Sequence, residues 1–431
     1  MNNSIMKAIN TNASKSNWRT FNIGLWFLIF ASSVIGLEKT RWQIDAIYFS
    51  APLLCAGMVL MLNFAFQNWE RAIKTLTPFN RLVFWSLILW SVVIFLRGFS
   101  SFEVTDFRDN LGIRYFGWTW FVPIFMVLSM NSLFIPQLFK AMLKHGRLGL
   151  VILAIAWVPP IRLYSLFDLC WGCSALLIFW HYIDTGAKRI SLIGAFLTVL
   201  FCVLSSQRSA IAGHGFLMVV SAYIAITRRS KLRGRRRFGV IICFLFIYGL
   251  VYYSANHTDL PFFGTHTETK VEAFKEELFQ NTRVSSSGVS IYQDLLNDMD
   301  EIDLFFGRGS IGTYRSMESG GVSRPIIESG YFQIILKGGL IMLVLILLLA
   351  VPAALKGLFV SRNWLVKGFA FIVAGWLLEM IPYGVPAASP RYVFFWIAIG
   401  VCLNPAIRNM TDDEIERNVL SESAVSLRKG R

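Results

Sequence analysis

Residues 329–352 read SGYFQIILKGGLIMLVLILLLAVP, and Lys337 is the single charged side chain among them. At about 1.5 Å per residue, a helix of this length outreaches the roughly 30 Å hydrocarbon core of a bilayer. A backbone in lipid must satisfy its own hydrogen bonds, so such a block is helical. Working outward from it, comparable apolar blocks recur near residues 21–36, 46–66, 82–96, 116–134, 148–161, 165–182, 190–204, 209–226, 238–254, 367–383 and 391–404. Pro159, Pro160 and Arg162 interrupt the chain around the fifth and sixth blocks. The run Ile190–Ile226 is too long to cross once, and Ser205-Ser206-Gln207-Arg208 breaks it into a tight helical hairpin. Composition agrees: 55% of the residues are hydrophobic, 16% are charged and 37 of 431 are Phe. A soluble domain of this length needs far more charge on its surface. The expected fold is an all-α polytopic membrane protein of about twelve transmembrane helices, with one large extracytoplasmic loop containing amphipathic helices.

Lys and Arg in the short loops set the orientation. Lys7, Lys15 and Arg19 precede the first block, Arg71, Lys74 and Arg81 follow the second, and Lys140, Lys144 and Arg147 follow the fourth. The strongest group is Arg228, Arg229, Lys231, Arg233, Arg235, Arg236 and Arg237 after the eighth. Lys356, Arg362 and Lys367 follow the tenth. With twelve spans these all share one side, which places both termini of this multi-pass inner-membrane chain in the cytoplasm. Residues 1–254 then hold spans one to nine, 255–327 form the extracytoplasmic loop, 328–405 hold spans ten to twelve, and 406–431 are a cytoplasmic tail. The first block lacks a small-residue cleavage site and is read as retained. The net charge of +15 is mostly this topology signal plus attraction to anionic headgroups, so nucleic acid is not expected as a partner. The six cysteines lie in or beside apolar blocks, so no disulfide framework is expected, and Cys170-Trp-Gly-Cys173 has no second ligand pair for a metal. No phosphate-binding loop, HExxH or internal repeat is apparent.

The informative charges are those that break the positive-inside pattern. Arg97, Arg108, Arg114, Arg162, Arg208 and Arg391 fall at extracytoplasmic helix ends or in short outer loops. Singly, each reads as a snorkelling or paired side chain. Together they form what an anionic headgroup needs, since the guanidinium fork binds phosphate oxygens two at a time. Arg208 sits between two helices with almost no loop to carry it into water, which makes it a functional candidate. His214 follows within two turns, and its alternative reading is a packing histidine. In the loop, Thr269–Gln280 and Val289–Met299 carry apolar stripes and read as amphipathic helices, with Arg283 between them and Arg324 near the loop's end. Lys337 and Glu379 share the outer half of their spans and are expected to pair. Failing that, the carboxylate is a base at the mouth of a cavity.

Three stretches resemble the O-antigen polymerase and O-antigen ligase superfamily. They are the Ser-Gln-Arg208-Ser hairpin, the loop from Arg283 through Gly307-Arg308-Gly309, and Glu328-Ser-Gly-Tyr-Phe-Gln-Ile-Ile-Leu-Lys-Gly-Gly-Leu340. The resemblance implies glycosyl transfer from undecaprenyl-diphosphate-linked glycan on the outer membrane face, with no metal and no other cofactor. It implies that Arg208 and Arg283 hold the diphosphate; Arg97, from the set of outer arginines, and Arg324, near the loop's end, are candidates for the same group by position. Ligases commonly carry a histidine at the loop-to-helix junction, where this chain has Glu328-Ser329-Gly330, so a polymerase is favoured. An acceptor hydroxyl needs a base, and Glu328 is the first candidate and His214 the second. The partners implied are the lipid-linked glycan as donor and acceptor, the bilayer, a flippase and a chain-length regulator. The alternatives are an O-antigen ligase or, in a different class, a transporter or flippase of lipid-linked or anionic substrates.

Overall fold

The computed structural model describes residues 15–37, 47–99, 103–132, 134–156, 167–204, 208–229, 287–317, 321–327, 329–381 and 384–420. The described residues are mostly helical. Among the described residues, four stretches are long and apolar enough to cross a membrane: Phe49–Gln67, Pro78–Arg97, Val104–Met130 and Gly330–Val360. The apolar block near 238–254, the amphipathic stretch Thr269–Gln280, Arg283 and Glu328 lie outside the described residues.

In chain order the first half contains α1 (Lys15–Leu37), α2 (Ile47–Gln67), α3 (Trp69–Thr75), α4 (Pro78–Arg97), α5 (Val104–Gly112), a 3₁₀ helix (Gly117–Met130) and α6 (Phe134–Ala156). Then come α7 (Phe167–Ile178), α8 (Thr185–Leu204) and α9 (Arg208–Arg229). Beyond these lie α10 (Ser287–Asp298), α11 (Glu301–Phe306), strands β1 (Tyr314–Ser316) and β2 (Val322–Arg324), α12 (Gly330–Leu355), α13 (Trp364–Glu379) and α14 (Pro390–Leu403). The two strands form an antiparallel hairpin that sets Tyr314 opposite Arg324.

The core is built around α14. Ser389 caps it by accepting from the Tyr392 amide, Pro390 sits in its first turn, and every residue to Leu403 except Arg391 is buried. The 3₁₀ helix, α12 and α13 pack around it. A helix apolar on all sides belongs in the middle of a bundle. At its edge, α1 and α2 cross where Gly24 and Gly57 face each other, and a Cβ on Gly24 would lie 2.8 Å from the Gly57 carbonyl oxygen. Small residues permit such close backbone approach. Residues 405–420 fold back onto the start of α13. There Asn363 accepts from the Val366 amide at 2.8 Å, and Asp412 accepts from the Trp364 amide at 2.8 Å and from the Tyr182 hydroxyl.

One sequence expectation changes. Lys140, Lys144 and Arg147 were read as a loop between blocks at 116–134 and 148–161, yet they lie inside the continuous helix α6. Their spacing of four and three residues puts them on one stripe, half-buried to exposed, while Leu138, Ala141, Met142 and His145 are buried. A charged stripe at helical period is compatible with a helix that has one wet or headgroup-facing side.

Candidate functional site

Two groups of side chains come together at the end of the bundle where α4 and α13 finish and α9, α12 and α14 begin. The first is built on a break in α12. Gly339 has φ +69° and ψ −176°, a conformation L-residues avoid, and the helix is interrupted there. The interruption frees carbonyls that would otherwise accept from the next turn, and other parts of the chain take them up. The Arg308 amide donates to Leu336 at 2.8 Å, the Gly309 amide to Lys337 at 3.0 Å, and the Trp90 indole to Gly338 at 2.8 Å. The turn Gly307-Arg308-Gly309 is thus docked into a helix break. Both its glycines have positive φ, and a Cβ on Gly309 would lie 2.8 Å from Cβ of Arg97.

The same turn reaches α4 and α5. The Ser310 amide donates to the Ile94 carbonyl at 3.0 Å, the Ser310 hydroxyl is bonded to the Asn110 side-chain oxygen, and the Asn110 amide group donates to Gly98 at 2.7 Å. Arg308 is consumed by the loop itself. Its Nε donates to Asp303 at 2.7 Å, and its Nη1 and Nη2 reach the Asp298 carboxylate, the Thr313 carbonyl and the Asp298 carbonyl. Burial pushes the Asp298 carboxyl up, but hydrogen bonds from Arg308 and the Arg315 amide outweigh it and hold the group below its ordinary value. Lys337 is wholly buried. Its ammonium donates to Gly312 at 2.7 Å and lies 4.5 Å from the centre of the Phe116 ring. Gly312 also lines an open cavity of about 520 Å³, together with Arg97, Arg308, Ile311 and Thr313. Arg97 is exposed there, with Nη1 donating to the Phe306 carbonyl at 3.0 Å.

The second group is a carboxylate–guanidinium pair. Glu379, the last residue of α13, is bonded to Arg391 in the first turn of α14, and the Arg391 guanidinium lies 4.8 Å from the centre of the Trp376 ring. The pair faces α9: a Cβ on Gly213 would sit 3.0 Å from Arg391 Nη2 and 3.6 Å from both Glu379 oxygens. Next to it, the Ser329 hydroxyl and the Gly330 amide both donate to the Met380 carbonyl, at 3.1 and 2.9 Å. Arg114 links the two groups along the chain: its carbonyl accepts from Ala388, just ahead of α14, while Phe116 contacts Lys337.

The sequence-derived candidates fare as follows. Arg97 lines the cavity. Arg324 lies half-buried on β2. His214 is buried with Nδ1 bonded to the Ser174 hydroxyl at 2.8 Å, the packing arrangement that was its alternative reading. Arg208 opens α9, and its side chain lies outside the described part. Glu328 and Arg283 are outside it altogether, although the residues flanking Glu328 are held: Ile327 by Gln333 and Ser329 by Met380. The expected Lys337–Glu379 pair does not form. Depth in the membrane had matched them, but their helices turn them apart, Lys337 to Gly312 and Phe116 and Glu379 to Arg391. The spacing of Trp376 and Glu379 at i and i+3, with Arg391 behind the helix-starting Ser-Pro, was the signal available for the true pair. No protein-family model, no curated protein and no solved structure matches this chain.

Proposed function

We propose that this chain is a metal-independent glycosyltransferase of the outer face of the bacterial inner membrane. It polymerises undecaprenyl-diphosphate-linked repeat units into O-antigen, capsule or exopolysaccharide. In this reading about twelve helices cross the bilayer, both termini are cytoplasmic, and residues 255–327 lie outside. The observation that carries it is the Glu379–Arg391 pair packed beside the first turns of α9, the helix that Arg208 opens, and one residue from the carbonyl that fixes Ser329. Arginine at the mouth of a helical bundle fits a substrate whose negative charge grows as the glycosidic bond breaks. In a site of low dielectric, a guanidinium stabilises a departing lipid diphosphate without a metal ion.

The remaining roles follow from position. Arg208, Arg283, Arg97 and Arg324, together with Arg391, are assigned to the diphosphate. Glu328 is assigned to the acceptor hydroxyl in preference to His214, whose Nδ1 is already engaged in packing. Cells lacking the chain provide the test, read as glycan bands on a gel. A polymerase null leaves single lipid-linked repeat units. A ligase null strands long chains on the carrier, and a flippase null accumulates precursor facing the cytoplasm; either pattern would displace this reading. Within it, Glu328→Gln should shorten the ladder with a loss of about a hundredfold in transfer, the low end for a positioned base. An acid that merely favours a helix N-terminus contributes only about 0.3–1 kcal/mol, and its Gln variant should keep a normal ladder.

A further inference from the structure

We infer that α11 is a membrane anchor: Ile302, Phe305 and Phe306 insert into the hydrocarbon edge of the outer leaflet, so that the loop re-enters the bilayer. This rests on the membrane placement proposed above and does not depend on glycan transfer. Two independent rulers give its depth. On α12, the turn that follows α11 is bonded to Leu336 and Lys337, six and seven residues past the start of the helix at Gly330. At about 1.5 Å per residue this lies roughly 9–10 Å below that end. On α4, the Phe306 ring lies 5.8 Å from the ring of Trp90, seven residues before Arg97, again about 10 Å down the helix. A segment resting on top of the bundle would touch only helix ends.

The chemistry of α11 matches that depth. Ile302, Phe305 and Phe306 stand at i, i+3 and i+4, which is one face of a helix, and they are 67%, 52% and 43% exposed. That face adjoins α4, where Leu89 and Leu96 are 68% and 61% exposed on a stripe that lipid must cover. Asp300 and Asp303 are tied up on the protein side, while Glu301, in the first turn, is exposed. Asp300 caps its N-terminus through the Asp303 amide at 2.6 Å, and Asp303 takes the Arg308 guanidinium. Leu304 packs inward with Leu295, Tyr314 and Ile327. The partner is therefore a phospholipid surface, and the anchor holds the Arg97 cavity at headgroup depth.

Nitroxide labels at Ile302→Cys, Phe305→Cys and Glu301→Cys test this in full-length protein reconstituted in phosphatidylethanolamine–phosphatidylglycerol vesicles. Unsubstituted protein taken through the same labelling is the blank. Collision with oxygen, which enters lipid, should exceed collision with a water-soluble nickel complex severalfold at 302 and 305, and the order should reverse at 301. Equal nickel access at all three positions would overturn the anchor. So would exclusion of both reagents with spin–spin broadening, which marks a second copy of the chain on that face. Benzoylphenylalanine at 305 gives an independent readout should the cysteine variants fold poorly. Irradiation should add phospholipid mass to the peptide carrying it, and its absence counts against the proposal. None of these readouts requires activity, so their failure would leave the transferase reading standing.

Discussion

Replacing Arg391 with Ala should lower glycan transfer by about 10²–10³-fold, the loss typical when one preorganised donor to a developing anion is removed. The side chain is bonded to the Glu379 carboxylate, lies over the Trp376 ring and closely approaches α9 at Gly213, where a Cβ would sit 3.0 Å from Nη2. Lysine keeps the charge but not the planar fork, so Arg391→Lys should recover only part of the loss. Arg208→Ala is expected to fall in the same range, because both groups are assigned to one diphosphate. The double variant should then lose less than the product of the single losses, since residues acting on one group are not additive. Transfer is measured with each variant at matched protein levels in membranes. Full activity of either Ala variant would remove that residue from the site.

Gly339→Ala should cost several kcal/mol of stability and release the docked turn. Two effects add. The backbone region at φ +69° and ψ −176° is almost closed to residues with a Cβ, at about 1–3 kcal/mol. In addition, the new methyl would overlap the Phe305 carbonyl, and forced overpacking costs about 1–3 kcal/mol. Gly321→Ala separates the two. That glycine has φ +81° with nothing near its would-be Cβ, so only backbone strain of about 1–2 kcal/mol applies. Thermal unfolding in detergent should show the larger shift for Gly339→Ala. Hydrogen exchange should speed at the Arg308, Gly309 and Ser310 amides in that variant alone.

Much of the helical layout was legible because long apolar blocks have few alternatives in lipid. What failed was local reading of residues whose partners are remote. Lys140, Lys144 and Arg147 looked like a loop because three cations within eight residues interrupt an apolar run; their common stripe on α6 is visible only at helical period. Gly338-Gly339 lies inside an apolar block, but the segment that fills the break there arrives from around residue 305, more than thirty residues earlier, and local pattern carries no trace of that docking. The Lys337–Glu379 expectation used membrane depth alone and ignored the direction each helix face points. For the site, sequence marked Arg97, Arg391 and Glu379 individually, since ionisable groups at bundle ends are conspicuous. Their surroundings were not legible, because Trp376, Gly213 and the Phe306 carbonyl are ordinary features of an apolar sequence until the bundle forms.

Metal-independent polymerisation is tested by giving the purified, reconstituted protein the lipid-linked glycan that accumulates in cells lacking it, with EDTA present. Metal-independent polymerisation predicts a ladder of longer lipid-linked chains together with free undecaprenyl diphosphate. Single repeat units that remain unextended, or extension that appears only when a divalent metal ion is restored, would contradict it.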